Sequence, residues 1–142
     1  MKTHLKTLVL LILLAPSAQS ILAQEIKGFW RGGINTKLTM RSGKMEFITD
    51  KKGLKQFSME TSFYFYDTQN YHDCYIDFAR GDQNSKWTTE ANVTTIVDEN
   101  DNKTVVIKTR RGITIVSGCG NTQYYKVAFV RRNNRYVGRE MK

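Results

Sequence analysis

Proline is almost absent from this chain. It occurs once, at Pro16, among 142 residues, and glycine occurs only ten times. Collagen-like and low-complexity chains are thereby excluded. Histidine is nearly as scarce, with His4 and His72 alone, so little is available for proton transfer near neutral pH. No phosphate-cradling or dinucleotide-binding glycine motif is present, and no G-x-S-x-G. The single long apolar run, Leu8 to Leu14, is too short to cross a bilayer core of about 30 Å. Acids are outnumbered 13 to 22, leaving a formal net charge of +9. What is present is ordinary for a folded domain: 40% apolar, 11% aromatic and 25% charged residues. That is too apolar for a disordered chain, and the length suits one domain.

The first residues read as an export signal. Lys2 and Lys6 precede the apolar run, small and polar residues follow it, and Ser20-Ile21-Leu22-Ala23 offers an A-x-A-like cleavage site. Residues 1–24 are therefore expected to be a cleaved signal peptide and residues 25–142 a single domain with no transmembrane segment, secreted or periplasmic. Two of the 22 cationic residues and none of the 13 acids leave with this segment, so the mature chain carries about +7. Both cysteines, Cys74 and Cys119, lie in the mature part, where an oxidising compartment favours a disulfide between them.

Beyond residue 25 the hydrophobic period is two, the signature of strands. Ile26, Gly28, Trp30, Gly32 and Ile34 share one face. So do Met45 and Phe47, and then Phe57, Met59, Thr61, Phe63 and Phe65. His72, Cys74, Ile76 and Phe78 alternate with Tyr71, Asp73, Tyr75 and Asp77. Trp87, Ala91, Val93 and Val97 form another apolar face, and Tyr125, Val127 and Phe129 a last one. Turn-forming clusters punctuate these runs, among them Asp50-Lys51-Lys52-Gly53, Asp98-Glu99-Asn100-Asp101-Asn102 and Arg132-Asn133-Asn134-Arg135. The expectation is an all-β domain: an antiparallel meander of about eight or nine strands, closed as a barrel or folded as a β-sandwich. Gly28, Gly32 and Gly33 would mark a bend or bulge where the sheet curves.

Gly28-Phe29-Trp30 on the first strand resembles the G-x-W that opens the calycins, the lipocalin, fatty-acid-binding protein and avidin group. Leu38-Thr39-Met40, Gly43 and Met45-Glu46-Phe47 are similar to the avidin-like opening hairpin. The resemblance implies an up-and-down barrel whose floor is closed by Trp30. It also implies an arginine from the end of the chain packed over that ring, Arg132 or Arg139, with Arg139 on the last short strand better placed. A lipocalin-like barrel would hold a small apolar or amphipathic ligand. Trp30, Phe63, Phe65, Ile76, Phe78, Val93, Val127 and Phe129 would line its cavity or fill its core, and these residue types serve either purpose.

Catalysis has little to work with. His72 falls on an inward face two residues from Cys74, and a Cys–His pair would still lack an orienting third group. Asp73 points away from both, which defeats a metal site at His72-Asp73-Cys74. The acidic loop at Asp98 lacks the glycine and the terminal bidentate glutamate of an EF-hand. No catalytic, cofactor or metal residue is therefore assigned, and no cofactor is expected. The basic excess is better organised. Lys51, Lys52 and Lys55 gather at one turn, Arg110 and Arg111 at another, and Arg131, Arg132 and Arg135 near the C-terminus. Tyr64, Tyr66, Tyr71 and Tyr75 fall on outward faces. Two functions follow as expectations. One is a non-catalytic exported barrel binding a small apolar or amphipathic ligand. The other is an exported or envelope interaction factor (inhibitor, adhesion or assembly) meeting a protein or anionic glycan through a basic, Tyr-rich surface. An exported location makes nucleic acid a poor partner.

Overall fold

A computed structural model describes residues 24–119 and 123–142; the signal-peptide reading lies outside the described residues. Among the described residues ten strands form one sheet: β1 (Ile26–Asn35), β2 (Thr39–Asp50), β3 (Gly53–Phe65), β4 (Asn70–Ala79), β5 (Ser85–Glu90), β6 (Val93–Asp98), β7 (Lys103–Thr109), β8 (Gly112–Cys119), β9 (Gln123–Arg132) and β10 (Arg135–Glu140). The spatial order is β4-β3-β2-β1-β10-β9-β8-β7-β6-β5, and the sheet curls into a nearly closed barrel. The all-β barrel is thus present. It has ten strands, because β5 and β6 are separate arms of a short hairpin and β10 follows a tight turn.

The chain is two meanders, β1–β4 and β5–β10, zipped together where β1 runs parallel to β10, with Lys27 opposite Arg135 and Phe29 opposite Val137. Every other pairing is antiparallel. The edge strands β4 and β5 are joined by residues 80–84. β4 is also held to β8 by Cys74 and Cys119, which stand at disulfide distance with Cα atoms 5.9 Å apart. The barrel is closed on that side by packing and this cross-tie rather than by a ladder of hydrogen bonds.

Register explains the core. Across β1–β4 the inner rows are Trp30–Met45–Met59–Ile76 and Gly28–Phe47–Phe57–Phe78. From the other meander come Ile96, Val106, Ile113, Ile115, Tyr125, Val127 and Phe129. Phe47 meets Phe129 edge-on at 4.8 Å, Trp30 tilts against Tyr125 at 5.2 Å and Phe57 stacks on Phe78 at 5.1 Å, distances typical of attractive ring pairs. The bulge lies at Ile48/Thr49 and not at the glycines of β1. Those glycines admit rings instead. A Cβ at Gly28 would lie 2.0 Å from the Phe47 ring, and one at Gly43 would lie 2.8 Å from Tyr125. Gly53 does a different job: with φ of +103° it closes the β2–β3 turn, where Asp50 Oδ1 accepts from Lys52 N at 2.8 Å.

Candidate functional site

A lipocalin-like ligand would occupy the interior. Trp30, Ile76, Phe78, Val127 and Phe129 are buried in a single contiguous cluster with Tyr125, Phe57, Met45 and Met59. Phe63 is half-buried against that cluster and Phe65 is exposed at the rim. Val93 lies on the opposite face from Trp87. The two-residue turn Ala91-Asn92 pairs Trp87 with Ile96 and Glu90 with Val93, so inward positions switch from odd to even across it. Ile96, fully buried, takes the core place assigned to Val93.

Arg139 is exposed and β-alternation turns it away from Trp30; the residue of β10 that meets Trp30 is Gly138, where a Cβ would lie 2.7 Å from the Trp30 Cβ. The arginine that covers an aromatic is Arg41 of β2. Its guanidinium sits 4.8 Å from the Tyr125 ring centroid and pairs with Glu140. Burial pushes the Tyr125 hydroxyl above the ordinary phenol value; Arg41 opposes that shift and Glu140 adds to it. Among the described residues the buried Tyr125 hydroxyl and Thr61 Oγ1 have no hydrogen-bond partner.

His72 is exposed at the same rim, its ring 6.3 Å from that of Phe65. Among the described residues no cluster of three metal-ligating side chains occurs. The Asp98 carboxylate is occupied by its own turn, accepting from the backbone amides of Asn100 and Asn102 and from Asn102 Nδ2. On the exposed face of β3 and β4, Ser62 Oγ donates to Asp73 Oδ1 at 2.7 Å and accepts from the Tyr71 hydroxyl at 3.4 Å.

The basic clusters do come together. β1, β3, β8 and β10 begin, and β2, β7 and β9 finish, at one end of the sheet. That end therefore carries three neighbouring hairpin tips: Lys51-Lys52 between β2 and β3, Arg110-Arg111 between β7 and β8, and the β9–β10 turn with Arg131, Arg132 and Arg135. Arg131 N donates to Arg111 O at 3.1 Å, which ties two tips directly. Lys27 joins them through its register with Arg135. Of the acids at this end, two are paired and Glu90, beside the β5–β6 turn, is exposed. Glu25 pairs with Lys55. Asp50 takes a two-pronged contact from Arg80, at 3.0 and 3.1 Å, which holds its carboxyl below the ordinary value. Among the described residues Lys27, Lys51, Lys52, Arg110, Arg111, Arg131, Arg132 and Arg135 have no acidic partner.

The tyrosines fall elsewhere. Tyr64 and Tyr71 are directly paired at the opposite end of β3 and β4, Tyr66 packs edge-on against Tyr64, and Tyr75 sits mid-strand opposite Glu60. Basic tips and paired tyrosines are two surfaces rather than one. A third surface escaped sequence reasoning. Phe29, Val137 and Val130 form an exposed row across the outer face of β1, β10 and β9. Phe29 could have been found, since it alternates with Trp30. The other two could not, because nothing local announces the β1–β10 pairing. No family model, no curated protein and no solved structure matches this chain.

Proposed function

We infer that the domain is an exported, non-catalytic interaction protein that binds an anionic macromolecular surface through the basic end of its barrel. The observation that carries this reading is the convergence of three basic hairpin tips at one end of the sheet, with eight cations there lacking an acidic partner among the described residues. Concentrated charge of one sign raises the local concentration of an oppositely charged partner and speeds its capture. Export is supported by the leader-like first residues and by a cysteine pair suited to an oxidising compartment. The interior-ligand reading asks for space where Phe47 meets Phe129 and Trp30 meets Tyr125, so the outer surface is preferred.

The test is binding of the mature protein to a sulfated polysaccharide and to anionic vesicles at low and physiological salt. The comparison protein carries Arg110→Ser, Arg111→Ser, Arg131→Ser and Arg132→Ser. Wild type should bind at least one of these, with affinity falling as salt shortens the screening length to about 8 Å. The variant should lose most of that binding while keeping its thermal transition. Binding to neither, or equal binding by the variant, contradicts the reading.

A further inference from the structure

The basic end shares its outer face with the apolar row. Phe29, Val137 and Val130 stand side by side on β1, β10 and β9, exposed to 49, 41 and 44%. With strands about 4.8 Å apart, the row is about 10 Å long. On one side of it runs a cationic row, Lys27–Arg135–Arg132. On the other side lie Arg31, Lys44 and Arg139, two residues further along their strands and on the same face by alternation, with Arg31 opposite Lys44. The acid nearest the row is Glu46, opposite Phe29, and Lys44 lies 3.4 Å from its carboxylate. Beside Phe29 the surface dips into an open concavity of about 330 Å³ lined in part by Lys27, Ile48, Gln56 and Ser58.

We propose that this face docks on an anionic phospholipid surface, with Phe29, Val137 and Val130 entering the interface and the two cationic rows engaging headgroup phosphates. This rests on the reading above and names its partner. Charge complementarity alone would suit any polyanion. A sulfated or carboxylated glycan, however, leaves the three apolar side chains in water, whereas a bilayer interface supplies negative charge and an apolar phase at adjacent depths. Apolar residues ranked between cations are the arrangement that exploits both, and contiguous exposed apolar residues with a polar surround mark binding surfaces.

The experiment is co-sedimentation of the mature chain with vesicles of phosphatidylglycerol in phosphatidylcholine, with phosphatidylcholine alone, and, in parallel, binding to the soluble sulfated polysaccharide. Two double variants are compared: Phe29→Thr with Val137→Thr, and Lys27→Gln with Arg135→Gln. Wild type should bind the anionic vesicles and not the neutral ones. The threonine pair should weaken vesicle binding about tenfold and leave polysaccharide binding unchanged. The glutamine pair should weaken vesicle binding about fivefold per cation removed. If the threonine pair fails to fold, Val130→Thr alone tests the same row. Vesicle binding unchanged by the threonine substitutions overturns the proposal. So does equal binding to neutral vesicles. Polysaccharide binding without vesicle binding overturns it while leaving the basic-end reading intact, and binding to neither removes both.

Discussion

At the scale of single residues the barrel is held by rings packed onto glycines, and its cost is borne by two orphaned hydroxyls. Phe57 is fully buried against Phe78, and Phe57→Ala should cost about 3–5 kcal/mol in urea unfolding. Tyr125 is the reverse case. Its buried hydroxyl has no partner among the described residues, so Tyr125→Phe should stabilise by about 1 kcal/mol. The same substitution should alter the alkaline limb. Burial raises the folded Tyr125 value above its reference of 10.0, so the unfolded chain loses this proton first. Stability is then complete below pH 10 and declines as pH rises toward the folded value. Tyr125→Phe should flatten that decline, leaving the part due to Tyr75, which burial and Asp77 also raise. A pH series of urea midpoints measures both effects. Much at this scale was legible: alternation alone places Trp30, Ile76, Phe78, Val127 and Phe129 inward. Val93 was not, because one two-residue turn inverts parity and a run of polar β-formers gives no local sign of it. Arg41 over Tyr125 was not legible either, since it joins strands that meet only through the β1–β10 seam.

At the scale of elements the turns and the cross-tie carry the argument. Ala91 opens the β5–β6 turn with φ of +51°, a left-handed conformation that costs an L-residue about 1–2 kcal/mol and that asparagine tolerates better. Ala91→Asn should therefore raise the unfolding midpoint, by about 0.5–1 kcal/mol in stability. The β2–β3 turn is braced by the fork from Arg80 onto Asp50. Its contribution is present above the unfolded carboxylate value of 3.8 and is lost as pH falls through the lowered folded value. Arg80→Gln should shallow the acid limb, with an effect near neutrality of about 1 kcal/mol or less, as expected for a largely solvated pair. The Cys74–Cys119 tie spans 45 residues. Its reduction should cost about 4 kcal/mol if chain entropy dominates, and the oxidised mass should sit two hydrogens below the reduced one. Strand existence and most turns were readable from period two and from Asp, Asn and Gly clusters. The parallel seam was not, because the partner of a terminal strand is chosen by the closure of the whole sheet.

At the scale of the molecule, charge and apolarity are sorted rather than mixed. Cations collect at one end, paired tyrosines at the other, and an apolar row lies between two cationic ones on the face that joins the meanders. Sequence showed the basic clusters and allowed that turns at one end of a barrel join into a patch; which turns share an end needs hairpin polarity and strand order together. It also placed tyrosines outward without showing that they sit away from the cations. The central claim is that binding takes place on this outer face and not inside the barrel. Amide chemical shifts of the isotope-labelled mature protein, followed while a short-chain anionic phosphatidylglycerol is added, test it most directly, because that probe would suit either an interior or a surface site. The account predicts shifts concentrated at Lys27, Phe29, Arg132, Arg135 and Val137, with Phe57, Tyr125 and Val127 unmoved. Shifts centred on Phe57, Tyr125 and Val127 with a silent basic end would contradict it.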